Sequence, residues 1–526
     1  MSPETRLARG GDGHTTQQEV LAFLSTPAAY GLQAGPVERI DTHISAVWLA
    51  GNRAYKLKRA VHYDYVDFST VELRHLACET ELRLNRRTAP ELYLGVRAVT
   101  RERNGSLAID GAGEPIDWLV EMERFDQELL FDRLAERGRL DIELMPPLAA
   151  AIAHLHAEAR IRSDRGGRAG LAWVVDGNAL GFTEYGLGIL DPARCAHLTA
   201  QMRTELCRHA ARLDTRCRGG LVRECHGDLH LRNIVLLDGT PTIFDGVEFN
   251  DDISCIDVLY DVAFLLMDLW RRGLRAHANA VFNEYIGITG DVDALCLLPL
   301  FLSCRAGVRA KTSVSAAAMQ SDASRRRELE IAAVEYLELA RGVLKPGTPQ
   351  LVAIGGLSGS GKSTLARSLA PALGAAPGAL IVRSDALRKA AMQVTPITRL
   401  GADGYTPAVT RHVYREMVGR ASAALRAGHS VIADAVFALP EDRAAIAEAA
   451  SAAGVPFVGF WIDAPAATLA YRISRRSGDV SDATTAVLDE QLRVGTGSIG
   501  WHQLAGRGDA VSVVLQAEAL LCPVRP

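Results

Sequence analysis

The chain has 526 residues, more than one hydrophobic core usually holds, and its 48% hydrophobic and 23% charged residues are typical of a globular protein with two or three domains. A formal net charge of −4 gives no electrostatic footprint for nucleic acid or an anionic membrane, so neither is expected as a partner. Nine cysteines without a C-x-x-C pair, and an N-terminus without an apolar core, predict a cytoplasmic protein without a disulfide framework or a zinc site.

The first part of the chain is predicted to contain short strands followed by helices. The strands are expected at 37–40, 43–49, 53–58, 93–100 and 117–122, with a helix at 67–87 among them. Helical patterns dominate from about 127 to 214 and from 257 to 342. This order predicts an α+β domain with a small β-rich lobe, about 20–122, and a larger helical lobe, about 123–343.

A seam at "LKPGTPQ", residues 344–350, separates a long helix from a buried strand. It predicts domains at 1–345 and 349–526. In the second domain, strands are expected at 351–355, 379–384, 430–436, 456–462 and 510–515, and helices at 362–371, 407–427, 440–453 and 464–475. The alternation predicts an α/β domain with a doubly wound parallel sheet.

The phosphate loop (P-loop), "GLSGSGKST" at 356–364, follows a predicted strand, opens a predicted helix and fits G-x-x-x-x-G-K-[ST]. Its backbone N–H groups suit phosphate oxygens, Lys362 suits the β/γ-phosphates, and Ser363 suits Mg²⁺. The predicted nucleotide-binding residues are Gly356, Ser358, Gly359, Ser360, Gly361, Lys362, Ser363 and Thr364.

Further polar residues follow at the predicted carboxyl edge of the sheet. In "VRSDALRK", Asp385 is suited to take a proton from an acceptor hydroxyl, and Arg388 to steer an anionic group. Asp434 ends a strand and is a candidate Mg²⁺ ligand. A lid over the phosphates is predicted from Arg472, Arg475 and Arg476. The alternative for each is a helix cap or a solvated side chain.

These residues resemble the small P-loop kinases of the group that contains gluconate kinase, polynucleotide kinase, chloramphenicol phosphotransferase and the zeta-toxin sugar-nucleotide kinases. The resemblance covers roughly 349–500. It implies ATP-dependent phosphorylation of a hydroxyl, with Asp385, Lys362 and Arg388 in the catalytic set. The low positive charge argues against a polynucleotide acceptor.

A second set of polar residues lies in "HGDLHLRNIVLLDGTPTIFDGVEF", residues 226–249. Asp228 is suited to orient or deprotonate an acceptor hydroxyl, while Asn233 and Asp245 offer oxygens to Mg²⁺. The residues predicted to fix this loop are His226, Asp257 and Asp261. Two alternatives stay open for His230, which either stabilises the loop or touches a ligand, and for Glu248, which either faces the metal region or is solvated.

The spacing of this set resembles protein kinases, and its H-G-D-x-H-x-x-N form looks like the aminoglycoside and choline phosphotransferase branch, over about 20–340. The resemblance implies a strand lysine that reaches the α/β-phosphates and a helix glutamate that holds it. Lys56 and Lys58 share one face of their strand, so both stay open, and Ala54 favours Lys56. The other lysine is predicted to snorkel at the strand edge. Glu79 and Glu81 both suit the partner role, with Glu81 favoured.

Lysine is scarce in this chain, since only six of its 58 basic residues are Lys. The P-loop holds one of the six and the "AYKLKR" strand holds two, both places where a slim ammonium fits and a forked guanidinium does not. No glycine-rich loop precedes that strand, so phosphate cover falls to Thr42 and Ser45. The segment 116–125 is predicted to be a hinge whose backbone around Met122 binds the adenine edge.

The whole chain resembles a fusion of an aminoglycoside-phosphotransferase-like kinase with a small P-loop kinase. This predicts a bifunctional Mg²⁺-dependent kinase that uses ATP, or alternatively GTP, and phosphorylates small, sugar-like metabolites. Two alternatives stay open. One half regulates the other as a nucleotide-binding module, or the chain is an antibiotic- or toxin-type kinase that modifies a drug or a sugar nucleotide.

Overall fold

The computed structural model describes residues 11–63, 65–345, 347–395, 398–475 and 484–521. By compactness the chain divides into two units. The first comprises Met1–Trp173 and Ala210–Leu265, and the second comprises Val174–His209 and Leu266–Pro526. A functional boundary near 345 stays a prediction.

The first unit holds a six-stranded antiparallel sheet. Its strands are β1 (Val37–Asp41), β2 (Ser45–Ala50), β3 (Arg53–Lys58), β6 (Tyr93–Arg101), β7 (Leu107–Ile109) and β8 (Glu114–Glu123), and β4 (His62–Tyr63) and β5 (Val66–Asp67) form a separate ribbon. The order in the sheet is β1-β2-β3-β8-β6-β7. Strand β3 is therefore central, with Lys56 opposite Val47 of β2 and Val120 of β8.

Two helices pack on this sheet, α1 (Gly11–Leu24) and α2 (Val71–Asn85). Thr70 is the N-cap of α2, and its hydroxyl accepts a hydrogen bond from the Leu73 N–H at 3.3 Å. The buried polar and small side chains of α2 recur at helical spacing, at Arg74, Cys78, Glu81 and Asn85. This period turns Glu81 toward the sheet.

The remaining elements before residue 272 are helical, with two short antiparallel strand pairs. The helices are α3 (Phe131–Glu136), α4 (Met145–Glu158), α5 (Gly167–Tyr185), α6 (Pro192–Arg218), α7 (Asp251–Ser254) and α8 (Val258–Arg271); β9 (Val222–Glu224) pairs with β12 (Cys255–Asp257), and β10 (Ile234–Leu237) with β11 (Thr240–Ile243). The HGD loop, residues 226–233, lies between β9 and β10, and Asp245 follows β11.

The second unit contains three long helices before its sheet, α9 (Arg275–Thr289), α10 (Leu298–Met319) and α11 (Ala323–Val343). Helices α10 and α11 pack along each other, and the buried Ser303 hydroxyl donates to the Ala340 carbonyl at 2.8 Å. Within the described part of the chain, the helices fall short of the length and apolar character that a membrane span requires.

A five-stranded, fully parallel sheet completes the second unit. Its strands are β13 (Leu351–Gly355), β14 (Leu380–Arg383), β15 (Val431–Asp434), β16 (Phe457–Asp463) and β17 (His502–Ala505), in the order β14-β15-β13-β16-β17. The helices around it are α12 (Lys362–Leu369), α13 (Ser384–Ala391), α14 (Pro407–Arg426), α15 (Pro440–Ala453), α16 (Ala466–Ser474), α17 (Thr485–Val494) and α18 (Ala510–Leu521). The predicted parallel sheet is confirmed.

The predicted strand at 510–515 is wrong, because this segment forms the start of helix α18. Its buried residues, Val513 and Ala517, are four positions apart and pack into the core of the parallel sheet. The fifth strand is β17 instead, a short edge strand with a single buried residue, Leu504.

Candidate functional sites

Lys56 joins two acidic groups in the first unit. Its Nζ lies 2.8 Å from Glu81 Oε1 on α2 and 2.5 Å from Asp245 Oδ1 after β11. Burial alone would lower the pKa of Lys56, but Asp245 and Glu81 raise it well above its usual value, so the ammonium stays charged. Glu79 is exposed and lies 3.6 Å from His75, away from this group.

Lys58 extends the same ionic cluster. Its Nζ pairs with the second carboxylate oxygen of Glu81 and with Glu248, and the three side chains are only 1%, 0% and 4% exposed. The prediction that the second lysine snorkels at a strand edge is therefore wrong, as is the solvated alternative for Glu248. Strand alternation places both lysines on one buried face, and the carboxylates satisfy both.

The HGD loop presents Asp228 with a 40% exposed side chain. The Asn233 amide donates to Asp228 Oδ2 at 3.1 Å and to the Asp228 carbonyl at 2.9 Å. His230 Nε2 lies 3.3 Å from Asp228 Oδ2. An accessible carboxylate, held by its neighbours, can accept a proton from a hydroxyl placed against it.

Asp261 at the start of α8 anchors this loop. Its carboxylate accepts from the N–H groups of His226 at 3.1 Å and Gly227 at 2.9 Å, and His156 Nε2 lies 3.0 Å away. Burial lowers the pKa of His226, and its two ring nitrogens contact the Phe244 carbonyl at 2.9 Å and the Asp228 N–H at 3.3 Å. His226 is therefore a neutral side chain that fixes the loop.

Asp257, which is also predicted to fix the loop, makes its ionic contact with another element. It pairs with Arg216 of α6 through two hydrogen bonds, of 2.6 and 2.8 Å, and both side chains are buried. The bidentate geometry holds the start of α8 against α6.

The predicted adenine hinge does not match the structure. Residues 121–123 lie within β8, between β3 and β6, and the Glu123 N–H donates to the Leu92 carbonyl at 2.8 Å. Met122 packs into the core with 9% of its surface exposed. The backbone groups of this stretch serve the sheet, so Met122 is corrected to a core residue.

The loop around Thr42 and Ser45, predicted to cover the phosphates, is held by hydrogen bonds between its own residues. The Thr42 hydroxyl accepts from the Ser45 N–H at 2.9 Å and donates to the Ser45 carbonyl at 3.1 Å. The Ser45 hydroxyl is buried without a hydrogen-bond partner. These contacts stiffen the turn between β1 and β2.

In the second unit, the P-loop joins β13 to α12, with Ser360 buried and Thr364 exposed at the start of the helix. Gly359 has φ +85°, and a Cβ there would lie 2.7 Å from the Leu469 carbonyl, so only glycine fits. Lys362 Nζ donates to the Leu357 carbonyl at 3.1 Å, which folds it back over the loop.

Ser363 and Asp434 meet at the carboxyl ends of β13 and β15. The Ser363 hydroxyl donates to Asp434 Oδ2 at 2.6 Å, and Asp434 is buried. Arg383, at the end of β14, donates from Nη2 to the Ser363 hydroxyl at 3.1 Å, and its Nε lies 3.4 Å from Asp434 Oδ2. Sequence reasoning missed Arg383.

A cavity of about 450 Å³ adjoins these residues, and its lining includes Lys362, Asp385 and Glu490. Arg388 also lines it, but its Nη1 donates to the Gly404 carbonyl at 2.7 Å and to the Thr410 hydroxyl at 3.2 Å. Its guanidinium also stacks 4.7 Å above the Tyr405 ring. These contacts hold Arg388 within the cavity wall.

The predicted arginine lid differs from the structure. Arg472 donates to the carbonyls of Ser360 at 3.4 Å, Gly506 at 3.0 Å and Gly508 at 3.0 Å. It therefore connects the P-loop to the turn that follows β17. Arg475 donates to the Tyr471 hydroxyl at 2.7 Å. Arg476 lies outside the described residues.

Gln491 of α17 is another residue that sequence reasoning missed. Its Oε1 accepts from the Ser358 N–H at 2.9 Å, and its Nε2 donates to the Ser358 hydroxyl at 3.0 Å. A glutamine 133 residues away along the chain carries no local signal for such a contact.

Asp442, which also lines the cavity, gives a pH prediction. Burial, with help from Glu441, raises the pKa of Asp442 to about 6, and Arg443 opposes this. Because the folded-state pKa is above the unfolded value, wild-type stability falls relative to Asp442→Asn as pH rises from about 4 to 6, and the difference is constant above that. Melting temperatures of the two proteins between pH 4.5 and 7.5 measure this.

The matched control is Asp403→Asn, the same substitution at an exposed position. A difference between wild type and Asp442→Asn that does not change with pH would contradict the prediction.

Comparison with known proteins gives matches to each part. Residues 351–496 match the family model described as an AAA domain. An uncharacterised protein of Mycobacterium tuberculosis is 29% identical over 475 residues, which cover 85% of this chain and 88% of that protein.

Solved structures also resemble parts of the chain. A choline/ethanolamine kinase family protein from Mesorhizobium loti covers 62% of this chain and 99% of its own, with 13% identity and a TM-score of 0.37. A gluconokinase from Sinorhizobium meliloti covers 33% of this chain and 91% of its own, with 20% identity and a TM-score of 0.24.

The sheet topologies confirm the two predicted fold classes, an antiparallel sheet with helices in the first unit and a parallel sheet with alternating helices in the second. The HGD loop belongs to the first of these folds and the P-loop to the second, in which residues 351–496 match the AAA-domain model.

Proposed function

We propose that this chain is a bifunctional, ATP- and Mg²⁺-dependent phosphotransferase whose two halves each phosphorylate a hydroxyl group of a small molecule. One observation carries the proposal. Each unit holds its own cation for nucleotide phosphates, its own pair of candidate metal ligands and its own accessible carboxylate. A module that only binds nucleotide has no need for the carboxylate.

In the kinase-like half, Lys56 holds the α/β-phosphates and Glu81 fixes Lys56. Asn233 and Asp245 would hold Mg²⁺, a donor set of amide and carboxylate oxygens that suits this ion. Asp228, with its exposed carboxylate, orients the acceptor hydroxyl and accepts its proton. Bound Mg²⁺ would neutralise charge on the phosphates.

In the P-loop half, the backbone of the loop and Lys362 hold the β/γ-phosphates. Ser363 and Asp434, with oxygens 2.6 Å apart, fit a Mg²⁺ site. Asp385 is the carboxylate that accepts the proton of the acceptor. The cavity of about 450 Å³ is of the size that encloses a small molecule, which favours a metabolite over a macromolecule as acceptor.

Two substitutions test the proposal, Asp228→Asn in the first half and Lys362→Ala in the second. The full chain is incubated with a metabolite extract, ATP and Mg²⁺, and phosphorylated products are detected by mass spectrometry. Each variant is expected to lose one product by at least about 100-fold while keeping the other, because each removes a group used at one site only.

Matched controls are Asp238→Asn and Lys345→Ala, at exposed positions outside both sites. If either active-site variant kept every product, the assignment of that site would fail. If one variant lost both products, the regulatory alternative would replace the bifunctional one.

A further inference from the structure

Helix α9 covers the β14 edge of the parallel sheet. Strand β14 is an edge strand, and the α9 side chains pair with its backbone as a neighbouring strand would. Asn283 Oδ1 accepts from the Ile381 N–H at 2.6 Å, and its amide donates to the Ala379 carbonyl at 3.1 Å. One helical turn earlier, the Asn279 amide donates to the carbonyls of Pro377 and Ala379, both at 3.1 Å.

The junction is closely packed. Asn279 is 3% exposed. Gly378 has φ +100°, and a Cβ there would lie 2.8 Å from Asn279 Nδ2 and 2.4 Å from the Ala370 carbonyl. The ring of Phe282 on α9 lies 5.1 Å from the ring of the buried His429. Helix α9 and β14 are thereby fixed relative to each other.

The end of this strand leads directly to the nucleotide site. Arg383 is the last residue of β14, and its side chain is 18% exposed. Its guanidinium contacts both Ser363 and Asp434, the two residues assigned to Mg²⁺ above. A planar fork with donors in fixed directions can hold a hydroxyl and a carboxylate in one arrangement, which a lysine ammonium cannot do as well.

The contacts link α9 to Arg383 through Asn283, which binds the backbone of β14 at Ile381, two residues before Arg383. Glu284, beside Asn283, is half-buried, and burial raises the pKa of Glu284, while the charge of Arg383 opposes this shift.

We propose that Arg383 is a positioning residue of the P-loop site, and that helix α9, through Asn283 on the backbone of β14, holds Arg383 in place from outside the segment 351–496. The inference rests on the proposed function of the P-loop half. Arg383 acts through Ser363 and Asp434, and Asn283 acts through Arg383.

The test measures binding of a fluorescent, non-hydrolysable ATP analogue with Mg²⁺ to the full chain, in a Lys56→Met background that weakens the first site. Arg383→Met and Asn283→Ala are each expected to weaken binding about fivefold or more. In the double variant, Asn283→Ala is expected to add nothing to the loss from Arg383→Met, because its effect passes through the guanidinium. A merely structural role of Asn283 would give additive losses.

Arg383→Lys keeps the charge without the fork and is expected to bind between wild type and Arg383→Met. Exposed matched controls are Arg367→Met and Asn52→Ala. If Lys362→Ala weakens binding but the Arg383 and Asn283 variants bind like the controls, the inference is overturned and the proposed function stands. If Lys362→Ala also binds like the controls, both are overturned.

Discussion

Replacing Lys58 with methionine is expected to destabilise the first unit by about 3–5 kcal/mol, the range typical of breaking a buried ion pair. Lys58 is 1% exposed, and its loss leaves the buried carboxylate of Glu248 without its cation and takes one of two cations from Glu81. Chemical denaturation followed by circular dichroism measures the shift, as an earlier unfolding midpoint for the variant.

Lys345→Met is the matched control, since Lys345 is exposed. A second variant separates charge from packing. Lys58→Met combined with Glu248→Leu removes both charges and is expected to recover part of the lost stability. Equal midpoints for Lys58→Met and the control would show that the buried cluster contributes nothing.

Lys56→Met is expected to lower kcat/KM of the kinase-like half by about 100- to 1000-fold, the usual effect of removing one group that stabilises developing charge. Lys56, unlike Lys58, contacts Asp245, and its side chain is 13% exposed, so a phosphate can reach it. The measurement is steady-state kinetics on the product that Asp228→Asn removes. The product of the P-loop half is expected to form at the wild-type rate.

Lys56→Arg tests whether the shape of the cation matters at this position. Because the guanidinium is wider and its fork must match Glu81 and Asp245 at once, we expect it to restore little activity. Full activity in Lys56→Arg would contradict the inference that only a slim ammonium fits at this position. Full activity in Lys56→Met would show that another residue binds the nucleotide phosphates.

The strands whose apolar runs are bounded by glycine or proline could be predicted from the sequence. Strand β13 was predicted at its observed bounds, and β14 to β16 within two residues of theirs. Strand β17 could not be predicted in the same way, because it is short, exposed and lacks an apolar pattern. The Val-rich start of α18 drew the strand prediction, although its buried positions repeat at helical spacing.

Side-chain partners were harder to predict than the motifs. Strand alternation placed Lys56 and Lys58 on one face but could not show that each would end at a different carboxylate. Arg388 and Arg472 are predicted to bind anions, and both donate to backbone carbonyls, 16 and 34 residues further along the chain. A guanidinium satisfies carbonyls as readily as phosphates, so its role depends on loop positions that the local sequence does not encode.

The asparagine contacts on β14 show that the P-loop segment depends on residues outside itself. The segment 351–496 contains the phosphate-binding motif, yet its edge strand relies on Asn279 and Asn283 for backbone partners. A bare edge of that kind is a template for pairing with another chain. In evolutionary terms, the segment 351–496 could move into another protein only by carrying α9 with it or by acquiring another cover, which gives selection a physical reason to keep this helix and the P-loop segment in one chain.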